Sequence, residues 1–316
     1  MVDTANPSLL PPDRLPAGAA IPRRAVLKLR DGYQTVAYVH DPAENGFTGG
    51  QARLPVLYLH GIQSHPAWFV ASGAELARLG HPVYQVTRRG SGENSFARGD
   101  ARSARQLLED VAAACRFICD ETRAGRVHLL GVSWGGKLLA AFAAETRDRP
   151  HFSQRKMGPV PSFGIASLTL VAPGIAPLVD IGPWTKLAVG ASAFFSPRRL
   201  FDIPLGDPNL FTDNPPMRDY IGRDPLSLRR ATAGFLLASH SLDRRVRRAP
   251  RGAISVPTTL ILASRDRIID SARAAEVVRR LTAGRCQVKE LPGAHTLEFE
   301  PDPAPLHEAL AAALVE

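Results

Sequence analysis

Apolar residues in this chain fall into short runs that alternate with amphipathic stretches. "RLPVLYLHG" (53–61) and "RVHLLGV" (126–132) are almost wholly apolar, as strands buried on both faces of a parallel sheet must be. Between them, "AWFVASGAELARLG" (67–80) and "SARQLLEDVAAACRFICDETRAG" (103–125) predict helices, the second strongly amphipathic. Gly80 is placed to end the first, and Ser103 to cap the second. "HPVYQVTRRGSG" (81–92) reads as a strand running into a glycine turn, and "GKLLAAFAAETR" (136–147) as a helix. Further on, 167–173, 256–266 and 285–293 predict strands, and 270–284 and 303–316 helices. Upstream, "RAVLKLRDGYQTVAYVHDP" holds two apolar runs joined by Asp31-Gly32, a hairpin signal. Strand–helix alternation of this kind predicts an α/β fold: a mostly parallel, doubly wound sheet entered through an antiparallel hairpin.

The rhythm breaks once. From 174 to 251 the chain has scattered prolines, an apolar piece "WTKLAVGASAFF" (184–195) and a helical stretch at 226–246. Some eighty residues exceed any simple loop. The segment therefore reads as an inserted, mainly helical cap, dividing a core of 23–173 and 252–316. Residues 1–22 are Pro-rich and lack the basic start and continuous apolar core of a secretory signal, so they predict a flexible or extended arm.

Composition narrows the class. The chain has 316 residues, 45% of them hydrophobic, enough for a large buried core. Its net charge is +9, and the densest basic cluster is "RRVRRAPR" (244–251). Such a cluster attracts anionic lipid or nucleic acid, or simply solvates a helix end. With no nucleic-acid motif beside it, no nucleic-acid partner is expected. No uncharged apolar run is long enough to span a membrane. Cys115 and Cys119 lie four apart on one helical face and read as small core residues, since a metal pair would need more ligands. Three cysteines in total fit a reducing, cytoplasmic compartment.

The chemistry gathers just after predicted strands, where ligands of an open α/β sheet collect. "GVSWGG" places Ser133 between strand 126–132 and helix 136–147, on a turn whose small neighbours leave room for an exposed nucleophile. The N–H groups of Trp134 and of Ile62, in "HGIQSH", are placed to hold a developing oxyanion. Asp266 ends an apolar strand, where a carboxylate can orient a histidine. Asp270, its competitor, falls where a helix begins and reads as an N-cap. His295 lies in the Gly-Ala loop after the last strand, whereas His240 and His307 sit within helical patterns. The order Ser133, Asp266, His295 is the order expected for a nucleophile–acid–base triad on this kind of sheet.

With "HGIQSH", "RRGSGEN", "GVSWGG", "SRDRIID" and "GAHTLEFE" in this order, the chain resembles the α/β-hydrolase superfamily over residues 24–316. Within it, the chain is similar to the monoacylglycerol lipase/lysophospholipase group, which is grouped with the serine aminopeptidases. The resemblance implies an α/β-hydrolase fold and a serine hydrolase for carboxylic esters. It implies no metal or organic cofactor and a small-molecule ester or lipid substrate. Thr87 departs from the aspartate the family usually carries before the "RRG" turn. His60, Trp184, Phe194 and Phe195 are the candidate pocket residues, though His60 reads more readily as a loop brace and the aromatics as packing for the cap. The Trp134 ring, bulkier than the usual residue there, is expected to narrow the acyl pocket. The basic surface would suit peripheral contact with an anionic membrane. Thioesterase, aminopeptidase and carbon–carbon hydrolase chemistry stay open, as does a slow-turnover receptor that keeps the triad.

Overall fold

The fold is described by a computed structural model covering residues 3–146 and 163–314. Residue 147 of the predicted helix 136–147, residues 147–162 of the core, residues 1–2 of the arm and residues 315–316 of the final helix lie outside the described residues. Eight strands form one twisted sheet: β1 (Arg23–Lys28), β2 (Gln34–His40), β3 (Val56–Leu59), β4 (Val83–Val86), β5 (Arg126–Val132), β6 (Gly164–Val171), β9 (Thr258–Ala263) and β10 (Cys286–Leu291). Their spatial order is β1-β2-β4-β3-β5-β6-β9-β10. The hairpin β1–β2 and the β2–β4 pair are antiparallel, and every later pair is parallel. This is the α/β-hydrolase fold, entered through its antiparallel edge as the sequence predicts.

All residues of β3, β4 and β9 are buried, which requires cover on both faces of the sheet. The cover comes from α1 (Val70–Arg78), α2 (Ala104–Thr122), α3 (Trp134–Thr146), α7 (Ser271–Leu281) and α8 (Ala304–Ala313). Helices α1 and α8 pack together, as do α2 and α3. Ser103 caps α2 by accepting from the Gln106 N–H at 3.1 Å, a contact worth about 1 kcal/mol. Cys115 and Cys119 are buried on α2, and burial raises both thiol pKa values, that of Cys119 to about 11. Both are core residues, and among the described residues no group of three or more His, Cys, Asp or Glu is placed to hold a metal. No described helix is long and apolar enough to cross a membrane.

Between β6 and β9 lie α4 (Pro183–Phe195), β7 (Leu200–Asp202), α5 (Pro215–Arg223), β8 (Arg230–Thr232) and α6 (Ala233–Arg248). β7 and β8 make a small antiparallel ribbon. The pattern at 226–246 had predicted only a helix. Arg230–Thr232 instead pair in β8, and Thr232 then caps α6 through the Phe235 N–H at 3.1 Å. The basic cluster at the end of α6 is partly engaged: Arg245 pairs with Glu145, and Arg280 donates to the Val246 carbonyl at 2.8 Å.

Residues 3–22, expected to be a flexible or extended arm, lie along the core. Thr4 bridges Arg23, and Ala5 is buried beside Tyr38, Ala67 and Val70. The Leu9 carbonyl accepts from the Tyr220 hydroxyl at 2.8 Å, and Arg14 donates to the Phe299 carbonyl at 3.1 Å. Small apolar residues among the prolines give this segment something to bury, which the proline count alone concealed.

Candidate active site

β3, β5, β6, β9 and β10 run parallel, so their carboxyl ends open on one edge of the sheet. Ser133 is the single residue between β5 and α3, with φ +52°. A left-handed backbone costs a non-glycine residue about 1–2 kcal/mol. The flanking glycines explain how the turn is nevertheless formed. A Cβ at Gly135 would sit 2.5 Å from the Leu59 carbonyl oxygen and 2.6 Å from that of His60. A Cβ at Gly131 would sit 2.8 Å from the Gly136 Cα and N. Only glycine lets α3 start this close to the strands, and the turn holds Ser133 at the helix N-terminus, where negative charge is favoured.

His295 and Asp266 converge on that serine. His295 Nε2 lies 2.9 Å from Ser133 Oγ. His295 Nδ1 lies 2.8 Å from Asp266 Oδ2 and 3.0 Å from Oδ1. The histidine and carboxylate side chains are only 2% and 1% exposed, so water does not compete for these bonds. The N–H groups of Ile268 and Ile269 donate to Asp266 Oδ1 at 2.8 and 3.0 Å, which orients the acid independently of the histidine. Phe211 of the insertion meets the His295 ring edge-on at 6.2 Å. Asp270 caps α7 by accepting from the Arg273 N–H at 3.0 Å, as its position predicts. His240 is exposed on α6, and His307 on α8 faces Glu298.

Two backbone N–H groups lie beside Ser133. A Cβ on Gly61 would fall 3.2 Å from Ser133 Cβ and 3.6 Å from its Oγ, which puts the Gly61–Ile62 turn directly against the serine. Among the described residues the Ile62 N–H has no hydrogen-bond acceptor. Trp134 opens α3, and the first N–H groups of a helix have no intrahelical acceptor.

Of the four candidate pocket residues, one is buried and three face solvent. His60 is fully buried: its Nε2 accepts from the Arg88 N–H at 3.1 Å, so its Nδ1–H donates to the Gly61 carbonyl at 2.9 Å. Burial, together with the nearby Arg88 charge, holds its pKa well below the ordinary value, and it braces the turn as a neutral ring. Trp184, Phe194 and Phe195 are 82%, 82% and 81% exposed on α4. They neither enclose a cavity nor pack the insertion onto the core, because α4 buries only Val189 and Ser192. The Trp134 ring is engaged by the insertion. It stacks on Phe235 of α6 at 5.2 Å, and its Nε1 donates to Ser239 Oγ at 2.9 Å. The ring ties the core to the insertion.

Several residues at this edge carry no sequence signal that singles them out. Asp224 of the insertion accepts from His65 Nε2 at 2.9 Å, Trp68 Nε1 at 2.8 Å and Ser227 Oγ at 2.8 Å. Lys137 pairs with Asp243 of α6 at 2.9 Å. Thr87 stands where an aspartate was expected, and Arg89 takes its partners elsewhere. It grips Asp110 of α2 through two bonds of 2.8 Å, pairs with Asp31 of the hairpin turn at 3.0 Å, and lies over the Tyr33 ring.

Comparison with known proteins agrees with this fold. The monoglyceride lipase of Saccharomyces cerevisiae, as a soluble variant bound to a substrate analogue, superposes with a TM-score of 0.73 at 18% identity, covering 92% of this chain and 97% of that one. A monoacylglycerol lipase from Paleococcus ferrophilus gives 0.69 at 17% identity, covering 87% and 97%. A thermophilic esterase from Thermogutta terrifontis gives 0.62 at 20% identity, covering 92% and 97%. Identities this low establish the shared fold. No curated protein sequence matches the chain. The family model for serine aminopeptidase, S33, matches residues 50–302, which takes in Ser133, Asp266 and His295. The chain belongs to the serine aminopeptidase S33 family of α/β hydrolases.

Proposed function

We propose that the protein is a serine hydrolase that cleaves carboxylic esters through an acyl-enzyme, in the manner of a carboxylesterase, monoacylglycerol lipase or lysophospholipase. The observation that carries this reading is the unbroken chain of short hydrogen bonds from Asp266 through His295 to a strained Ser133. His295, oriented by Asp266, takes the Ser133 proton as Oγ attacks the ester carbonyl. The N–H groups of Ile62 and Trp134 hold the oxyanion. His295 returns its proton to the leaving alcohol, and water then releases the acid by the same steps in reverse. The reaction needs no metal or organic cofactor. The alignment of all three groups favours turnover over a slow-turnover receptor that merely keeps the residues.

The apolar residues exposed on α4 support a lipid substrate taken from an anionic membrane surface. The buried free thiols suit a cytoplasmic setting. Ser133→Ala is expected to abolish turnover of a short p-nitrophenyl ester and labelling by a fluorophosphonate, with the fold intact. Unchanged turnover would sink the assignment. A chain-length series of monoacylglycerols ranks the lipid reading, and a preference for acetyl esters counts against it. Thioester and aminoacyl-anilide substrates assayed in parallel separate the remaining chemistries.

A further inference from the structure

One buried cation beside the site has no carboxylate partner. Arg88 is 4% exposed, and among the described residues no Asp or Glu pairs with its guanidinium. Burial pulls its pKa down to about 9 with no neighbouring charge to raise it. An isolated charge in such surroundings is costly, and an apolar side chain of the same volume would serve stability better.

The guanidinium grips the turn next to Ser133. Nε and Nη2 donate to the Gly61 carbonyl at 3.2 and 2.8 Å, and Nη2 donates to the Ile62 carbonyl at 2.7 Å. Its Cζ lies 4.6 Å from the Trp134 ring centroid and 5.9 Å from that of Phe235. The peptide between Gly61 and Ile62 is trans and planar, so its C=O and N–H point in opposite directions. Holding the Gly61 oxygen therefore aims the Ile62 N–H. A carbonyl that accepts charge-assisted bonds also polarises its own peptide unit and makes that N–H a stronger donor.

We propose that Arg88 is a positioning residue of the oxyanion hole: it aims and polarises the Ile62 N–H through the Gly61 carbonyl, and it fixes Trp134 by lying on its ring. The proposal rests on the reading of Ile62 and Trp134 as the oxyanion donors. A cation held behind the peptide strengthens the donor most when negative charge develops in front of it, so its effect falls on the transition state rather than on substrate binding.

The test uses Arg88→Met, which keeps the bulk and removes charge and fork, and Arg88→Lys, which keeps the charge alone. Competent sites are counted by end-point titration with a fluorophosphonate, and p-nitrophenyl butyrate turnover is expressed per titrated site. Loss of one oxyanion donor typically costs 10²–10³ in kcat. Misaiming one is expected to lower kcat roughly 10- to 100-fold in Arg88→Met, with KM within about threefold. Inhibition by a boronic acid, which forms a tetrahedral adduct on Ser133, is expected to weaken by a similar factor. Arg88→Lys is expected to recover part of the loss, and it decides alone if Arg88→Met yields no titratable sites. Unchanged kcat per titrated site in either variant overturns the proposal, as does a loss confined to KM or to the number of titratable sites. A wild-type protein that does not titrate overturns the reading of Ser133, and the proposal with it.

Discussion

Asp224 lies just after α5, and its replacement tests whether one buried carboxylate ties the insertion to the core. Its Oδ2 accepts from three side chains, His65, Trp68 and Ser227, and its Oδ1 from the Leu226 N–H at 2.9 Å. His65 and Trp68 lie just beyond the Gly61–Ile62 turn, so the tie runs from the insertion to the edge of the site. The carboxylate is 1% exposed, and its loss in Asp224→Ala strands buried donors on both sides. Breaking a buried pair in this way costs about 3–5 kcal/mol. Burial opposes ionisation of Asp224, but hydrogen bonds from His65, Trp68 and Ser227, with the nearby His65, outweigh it and hold the pKa at about 2. The folded value lies below the ordinary aspartate value of 3.8, so this contribution is complete above about pH 4 and is lost as pH falls toward 2. The gap between the two values corresponds to about 2–3 kcal/mol of pH-dependent stability. Urea unfolding followed by circular dichroism at pH 7, 5 and 3 gives the measurement. Asp224→Ala is expected to be less stable by about 3–5 kcal/mol at pH 7 and 5, and the difference to narrow at pH 3. A loss under about 1 kcal/mol at pH 7, or a difference that does not shrink at pH 3, would refute the reasoning.

Two further outcomes follow from the geometry. Gly135→Ala forces a methyl group against the Leu59 and His60 carbonyls, so it is expected to cost at least about 1–3 kcal/mol in urea unfolding and to abolish esterase activity. Full activity would show that the elbow tolerates a Cβ. Replacing Trp184, Phe194 and Phe195 together with serine is expected to change stability by no more than about 0.5 kcal/mol per site, because all three face solvent. Co-sedimentation with phosphatidylglycerol vesicles is expected to fall at least about fivefold, since each buried aromatic contributes about 1.5–3 kcal/mol. Turnover of soluble p-nitrophenyl acetate is expected to stay unchanged, and its loss would tie α4 to the chemistry instead.

The site was readable in the sequence where local order fixes position. Ser133, Asp266 and His295 each follow a predicted strand, and the parallel register of β5, β6, β9 and β10 delivers all three to one edge. Apolar character could not tell whether Trp184 and Phe194 face a pocket, the core or solvent, because α4 has little beneath it to bury against. Arg88 lay in a quoted turn, but its partners come from another strand end, and the sequence carries no sign that a charge there lacks a carboxylate. The same holds for Asp224, whose partners His65 and Trp68 are 159 and 156 positions away. α5 and the β7–β8 ribbon are too short and proline-flanked for periodicity to reveal. Such elements are set by tertiary contacts rather than by local pattern.

The N-terminal segment gives the insertion and the histidine loop a common fastening. Leu9 holds Tyr220 on α5, and five residues later Arg14 holds the carbonyl of Phe299, four positions past His295. Any displacement of the insertion would therefore pull on the same segment that contacts the His295 loop. The insertion also meets that loop directly, since the Phe211 carbonyl accepts from the Thr296 N–H at 2.8 Å and Asn214 donates to the Phe299 carbonyl at 2.9 Å, so one residue near the end of the chain gathers bonds from both the N-terminal segment and the insertion.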